Sequence, residues 1–273
     1  ADPGKMAAGS GSGYASGQAT LLTAGLLLSV MAAIYLKPNR VDPDSGSQVE
    51  LFSEEQLKAC QGEAPVLLTA VLGEVFDVTQ GKKYYGKGGG YEFFAGRDAS
   101  RAFQTGDFTE SGLTDDVSGM NHEQMAAIDH WRQFYHDHKK YQYRGRLVGR
   151  FYTEKGEPTD ELTRVEAMLE EQKAFAGKQK LLEQKYPGCN SNWSQADGGF
   201  VWCANGQVPR KAITMKPGGG EAVRCACFSF SSSSAVTGDQ DGIDSNYPDF
   251  QGEVRYYDGC EIGAKVCRSA PAT

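Results

Sequence analysis

Histidine is scarce in this chain, and long basic runs are missing from it. The 273 residues contain four histidines, His122, His130, His136 and His138, all inside one short stretch. No Ser/His/Asp order with a nucleophile elbow accompanies them, which removes the familiar hydrolase arrangements. No Lys/Arg block occurs, and the formal net charge of -7 disfavours nucleic acid, whose phosphates call for a concentrated basic surface. A C-x-x-C pair is absent among the seven cysteines, so a zinc site would lack its commonest ligand spacing. The glycine-rich turn at 86–90 lacks a third spaced glycine and a Gly-Lys-Ser/Thr, so neither phosphate-cradling motif is present. No internal repeat is visible.

What the chain does contain is globular: 40% hydrophobic and 23% charged residues, enough for one ordinary domain and a smaller second one. Residues 19–36 (ATLLTAGLLLSVMAAIYL) carry no charge. As a helix they would reach about 27 Å, the lower edge of a bilayer span, so they read as a signal peptide or a signal anchor. Met6 is a candidate natural start, with residues 1–5 as an expression scar. Lys37 and Arg40 follow the apolar run, which by the positive-inside rule would leave the rest in the cytosol. Cysteine usage argues the other way. Cys189, Cys203, Cys225, Cys227, Cys260 and Cys267 crowd into a Gly/Ser-rich tail, while Cys60 stands alone. That pattern reads as a disulfide framework formed in an oxidising compartment, against the plainer reading of buried free thiols. Six cysteines allow about 15 pairings, and sequence does not choose among them. Asn192-Trp193-Ser194 is an N-glycosylation sequon in the same region. The expected location is secreted, or lumenal and anchored by residues 19–36, with the membrane met only through that segment if it stays uncleaved.

The chain divides into a tail (1–18), the apolar segment (19–36), a polar linker (37–50), a domain over 51–152, a long charged helix (153–187) and a Cys-rich region (188–273). Ser53-x-x-Gln56 predicts a capped helix over 54–59. Alternation predicts strands at 66–70 and 74–78, reversing at Gly73. Short helices are expected at Phe93-Phe94 and at 99–103, the second capped by Asp98. A helix at 123–135 carries Met125, Ile128 and Trp131 on one stripe, with Phe134 and Tyr135 extending it. A last strand is expected at 147–152 (LVGRFY). Thr159 should cap a helix running to about Lys185, with Leu162, Val165, Leu169 and Ala176 as its apolar stripe.

Chemistry concentrates in Gly81–Phe103, GKKYYGKGGGYEFFAGRDASRAF. Three tyrosines surround the glycine turn, and a phenolate is a hard anionic ligand suited to ferric iron, as in tyrosine-ligated haem. Phe93, Phe94 and Phe103 can wall an apolar ligand. The pattern YYGxxxxYxxFAGRDAS, with a strand pair before it and a Trp helix after it, resembles the membrane-associated progesterone receptor branch of the cytochrome b5-like proteins. The resemblance implies an α+β fold: a cytochrome b5-like domain, then the charged helix and a disulfide-rich irregular or β region. It further implies ferric haem b on Tyr91 as axial ligand, Tyr85 as supporting phenol, and Lys140 and Tyr141 at the haem edge. Ordinary cytochrome b5 uses two histidines; here none precedes a Pro-Gly-Gly, and His130, His136 and His138 read as surface residues.

The order of leader, domain, GRFY segment, helix and Cys-rich tail further resembles a secreted member group of that family. This implies a non-enzymatic haem protein promoting neuronal differentiation, with an unknown protein partner and haem-dependent self-association. Two other readings stand beside it: a haem-free module binding protein or lipid, and a membrane-anchored electron-transfer or haem-delivery partner of monooxygenases.

Overall fold

The computed structural model describes residues 49–230 and 242–270, which lie in one compact unit spanning 48–273. The apolar segment at 19–36 falls outside the described residues. Among those described, no helix is long and apolar enough to cross a membrane.

The first half is built on a four-stranded sheet. Strand β1 (Glu50–Phe52) leads into helix α1 (Glu54–Lys58), whose capping box joins Ser53 and Gln56 as their spacing predicts. Thus Glu50 belongs to the sheet and not to the linker. Strands β2 (Leu68–Val71) and β3 (Glu74–Asp77) form a hairpin, with Leu72 and Gly73 both at positive φ (51° and 76°). Helix α2 (Lys82–Tyr85), a 3-10 turn (Glu92–Phe94), helix α3 (Ser100–Thr105) and helix α4 (His122–Asp137) follow. Strand β4 (Gln142–Leu147) closes the sheet in the order β1-β4-β3-β2.

The strand expected at 147–152 is a turn instead. Gly149 adopts φ 155° and its N–H bonds back to the Tyr152 carbonyl at 2.9 Å, so the chain reverses just where the apolar pattern suggested extension. Leu147, Phe151 and Tyr152 are buried all the same. Periodicity reported burial correctly and conformation wrongly, because a glycine permits a reversal that the flanking side chains would not.

Asp98 is not the cap expected of α3, whose N-cap is Ala99 with no side-chain cap bond; it ties the helix start to the hairpin turn instead. Its Oδ1 accepts from the N–H (3.0 Å) and hydroxyl (2.6 Å) of Ser100, while Oδ2 accepts from Gly73 N–H at 2.7 Å. The Ser100 hydroxyl in turn accepts from Leu72 N–H at 2.7 Å. Both amides of the tight hairpin turn are thereby satisfied away from water. Burial pushes the Asp98 carboxyl up to about 6, against the pull of these donors.

Helix α5 (Asp160–Lys185), capped by Thr159, ties the two halves together. Leu162, Val165 and Leu169 enter the first core, and Leu182 enters the second. Ala176, expected on this stripe, is exposed, and Phe175 is the half-buried neighbour. Over so long a helix the contact face drifts, and Gln179 meets the Thr214 hydroxyl at 2.7 Å. Buried Arg132 of α4 clamps α5 through Glu166 at 2.6 Å and also holds Asp129 at 2.6 Å.

The Cys-rich region forms two three-stranded sheets. Strands β5 (Asn190–Ser194) and β6 (Gly198–Trp202) are followed by β7 (Val208–Met215), β8 (Glu221–Phe228), β9 (Glu253–Arg255) and β10 (Val266–Ala270). Their orders are β10-β6-β5 and β8-β7-β9. Three disulfides, Cys189–Cys225, Cys203–Cys227 and Cys260–Cys267, bear out the framework read from sequence, and Cys60 is free. Cys225 and Cys227 lie on one face of β8, and each reaches a different partner flanking the β5–β6 hairpin. The sulfurs of Cys189, Cys203 and Cys227 fall within 4.8 Å of one another because two disulfides are neighbours; oxidised, they offer a cation no thiolate.

Candidate functional site

The glycine turn is shaped by close backbone approach. A Cβ on Gly89 would fall inside contact distance of the Tyr84 carbonyl, and the Tyr91 N–H donates to that same carbonyl at 2.9 Å. Gly88, at φ 77°, gives its N–H to the Glu92 carboxylate at 2.6 Å. These contacts set Tyr91 across from α2, with its ring 6.1 Å from Tyr84 and 6.0 Å from Tyr85.

Three of the residues singled out in sequence converge here. Tyr85 is buried, and its ring stands edge-on to Tyr141 at 5.8 Å. Tyr91 and Tyr141 are half-buried. Lys140 is exposed in the turn just before Tyr141. The phenylalanines form the expected wall: Phe94 stacks on Phe103 at 4.3 Å, and Phe93 lies 4.4 Å from Phe108. Trp131 and Phe134 of α4 continue it, at 5.7 Å from Phe103 and from each other respectively. Much of this surface is only half covered, and Phe108 is 49% exposed. The result is an aromatic face with phenols at its back.

Two site residues escaped sequence reasoning. Tyr135 of α4 read as an extension of the apolar stripe, yet its hydroxyl meets that of Tyr85 at 2.9 Å inside the core. Burial pushes both phenols well above the usual tyrosine range. They therefore stay neutral and serve as a fixed hydrogen-bonded pair. Its place on the helix face beside Trp131 was legible; a hydroxyl partner fifty residues away was not. His138 read as a surface residue, but its ring stacks on Tyr141 with centroids 3.8 Å apart. The other histidines are elsewhere: His130 is exposed, His136 pairs with Glu74 and His122 with Glu171. Burial also pushes the Tyr141 phenol up, and its hydroxyl lies over Gly81, where a Cβ would meet it at 2.9 Å.

The donor set suits a flat, apolar ligand carrying a hard metal and acidic edge groups. Phenol oxygen is the hard donor, the aromatic face matches a macrocycle, and Lys140 offers a cation at the rim. No free histidine pair stands in reach for a bis-imidazole site among the described residues.

Comparison with known proteins identifies the domain. Residues 53–186 match the cytochrome b5-like heme/steroid binding domain, a span that includes α5. The chain is 41% identical over 244 residues to membrane-associated progesterone-binding protein 4 of Arabidopsis thaliana, covering 88% of this chain and 92% of that one. It is 46% identical over 208 residues to neuferricin of Danio rerio, covering 72% and 76%. Human neuferricin is 44% identical over 189 residues, covering 65% and 69%.

Proposed function

Because the chain belongs to the neuferricin branch of the membrane-associated progesterone receptor family and carries its cytochrome b5-like domain, we propose that it binds ferric haem b through the Tyr91 phenolate and has no catalytic activity of its own. The observation that supports this most directly is the half-exposed aromatic face carrying Tyr91 and Tyr141, backed by Tyr85 and Tyr135, with no comparable histidine pair beside it among the described residues.

Bound haem would supply a ferric centre that a phenolate oxygen suits and that is poorly fitted to rapid electron shuttling. The protein's own groups do the rest. Tyr91 provides the anionic ligand. Phe93, Phe103, Trp131 and Phe134 exclude water from the macrocycle. Tyr85, neutral and tied to Tyr135, holds the wall behind Tyr91 in one geometry. Lys140 meets the acidic edge, with the Tyr141 ring next to it and its hydroxyl against Gly81. A partly open face leaves room for a second molecule, so haem would control partner docking or self-association, in keeping with a role in promoting neuronal differentiation.

Ferric haem titrated into the haem-free chain should produce a saturable Soret band at one equivalent. A spectrum identical to that of free haem would overturn the reading.

We further propose that the protein is secreted or lumenal. Three disulfides favour an oxidising compartment, and Asn192 is exposed on β5 at the edge of its sheet. Glycosidase-sensitive mass on Asn192 in an expressing cell supports this location; a tail open to protease from the cytosolic side refutes it.

A further inference from the structure

His138 begins a tight turn, closed by the Tyr141 N–H donating to the His138 carbonyl at 3.3 Å. Within it the imidazole folds back to lie nearly parallel to the Tyr141 ring, 20° from coplanar at 3.8 Å, with Phe134 5.2 Å away on the α4 side. The backbone N–H of Lys140 donates to Nδ1 at 3.3 Å. An imidazole nitrogen that accepts a hydrogen bond carries no proton, so the neutral ring must hold its proton on Nε2. Burial keeps the His138 pKa below the usual histidine value, and the neighbouring Lys140 charge acts in the same direction. The ring thus keeps a neutral Nε2–H, two residues from the exposed Lys140 in the same turn, while the Tyr141 hydroxyl lies against Gly81. An N–H donor and an ammonium carried by one turn beside the aromatic residues fit a carboxylate.

We infer that His138 is a binding residue for the acidic edge of the bound haem, donating from Nε2 to a propionate carboxylate next to Lys140. This rests on the haem reading above and adds to it a residue that the family's tyrosine and Lys-Tyr positions do not include. The stack on Tyr141 orients the ring, and the Lys140 amide selects the tautomer.

The test separates the N–H from the stack and the carboxylate from the macrocycle. His138→Phe keeps an aromatic ring on Tyr141 and removes the donor; His138→Ala removes both. Each full-length variant is titrated with haem and with haem dimethyl ester, whose propionates cannot bear charge. His138→Phe should weaken haem binding about ten- to a hundredfold, the worth of one hydrogen bond to a charged group, and leave dimethyl ester binding unchanged. Nitrogen NMR of the haem-free chain should show the proton on Nε2. Equal loss for both ligands, no loss for either, or a proton on Nδ1 overturns the inference. A wild-type chain that binds neither ligand refutes the haem reading itself, whereas wild-type binding with an indifferent His138→Phe refutes only the role of His138.

Discussion

The hydroxyls of Tyr85 and Tyr135 lie 2.9 Å apart in a core that excludes water, one phenol on a four-residue helix and the other on the inner face of α4. Tyr85 also bonds the Tyr141 hydroxyl, so it is the shared partner of two phenols. Removing the Tyr85 oxygen strands Tyr135, so Tyr85→Phe should cost about 1–3 kcal/mol of haem-free stability, whereas Tyr135→Phe leaves Tyr85 its Tyr141 partner and should cost less. The double variant leaves neither phenol of the pair unpaired and should cost less than the sum of the singles. Urea unfolding of the four proteins measures the coupling; strict additivity would show that the pair is not bonded.

Tyr91 stands differently, half-buried at the face. Tyr91→Phe deletes one oxygen and keeps the ring against Tyr84, Tyr85 and Phe94. Haem affinity should fall strongly and the Soret band should change position, while the melting temperature of the haem-free protein should barely move, because little packing is lost. An unchanged spectrum would assign the iron to another residue.

Asp98 makes stability depend on acidity in an unusual direction. Its folded value near 6 lies above the ordinary carboxylate value of 3.8. As pH rises from about 4 to 6, the unfolded chain releases this proton before the folded one does, so this group's contribution to stability falls over that window and then levels off. Asp98→Asn should flatten that part of the pH–stability profile. It should also destabilise the fold at pH 7 by about 1–3 kcal/mol, since an amide cannot accept from Ser100 and from the Gly73 N–H at once. A profile with the same slope in both proteins would exonerate Asp98.

The disulfides should differ in worth. Cys189–Cys225 spans 36 residues and Cys260–Cys267 only 7. On the chain-entropy account their closures are worth about 4 and about 2 kcal/mol. Replacing the first pair by serine should therefore lower the tail's unfolding midpoint more than replacing the second. Peptide mapping without reductant should recover the three pairs and leave Cys60 alkylable, slowly, because burial raises its thiol pKa. A reversed order of stability would show that native packing, not closure, governs the tail.

Local rules decided much of this protein. The Ser53 and Thr159 caps, the reversal next to Gly73 and the stripe of Leu162, Val165 and Leu169 follow from contacts within a few residues, which one stretch of sequence contains entirely. So does the close turn at Gly86–Gly90 that presents Tyr91. The cysteine crowding announced a disulfide framework, but not which sulfurs meet: that awaited the β5–β6 hairpin laid against β8. The reversal at Gly149 and the shift from Ala176 to Phe175 depended on what each segment packs against. Tyr135 and His138 were legible as residues of one helix and one turn. Their roles were not, because a phenol pair fifty residues apart and a ring stacked on Tyr141 exist only once α4, the turn after it and α2 share one core. Sequence specifies the donors and the local turns that present them; the meeting of distant side chains, which creates the site's fixed geometry, is a property of the packed fold alone.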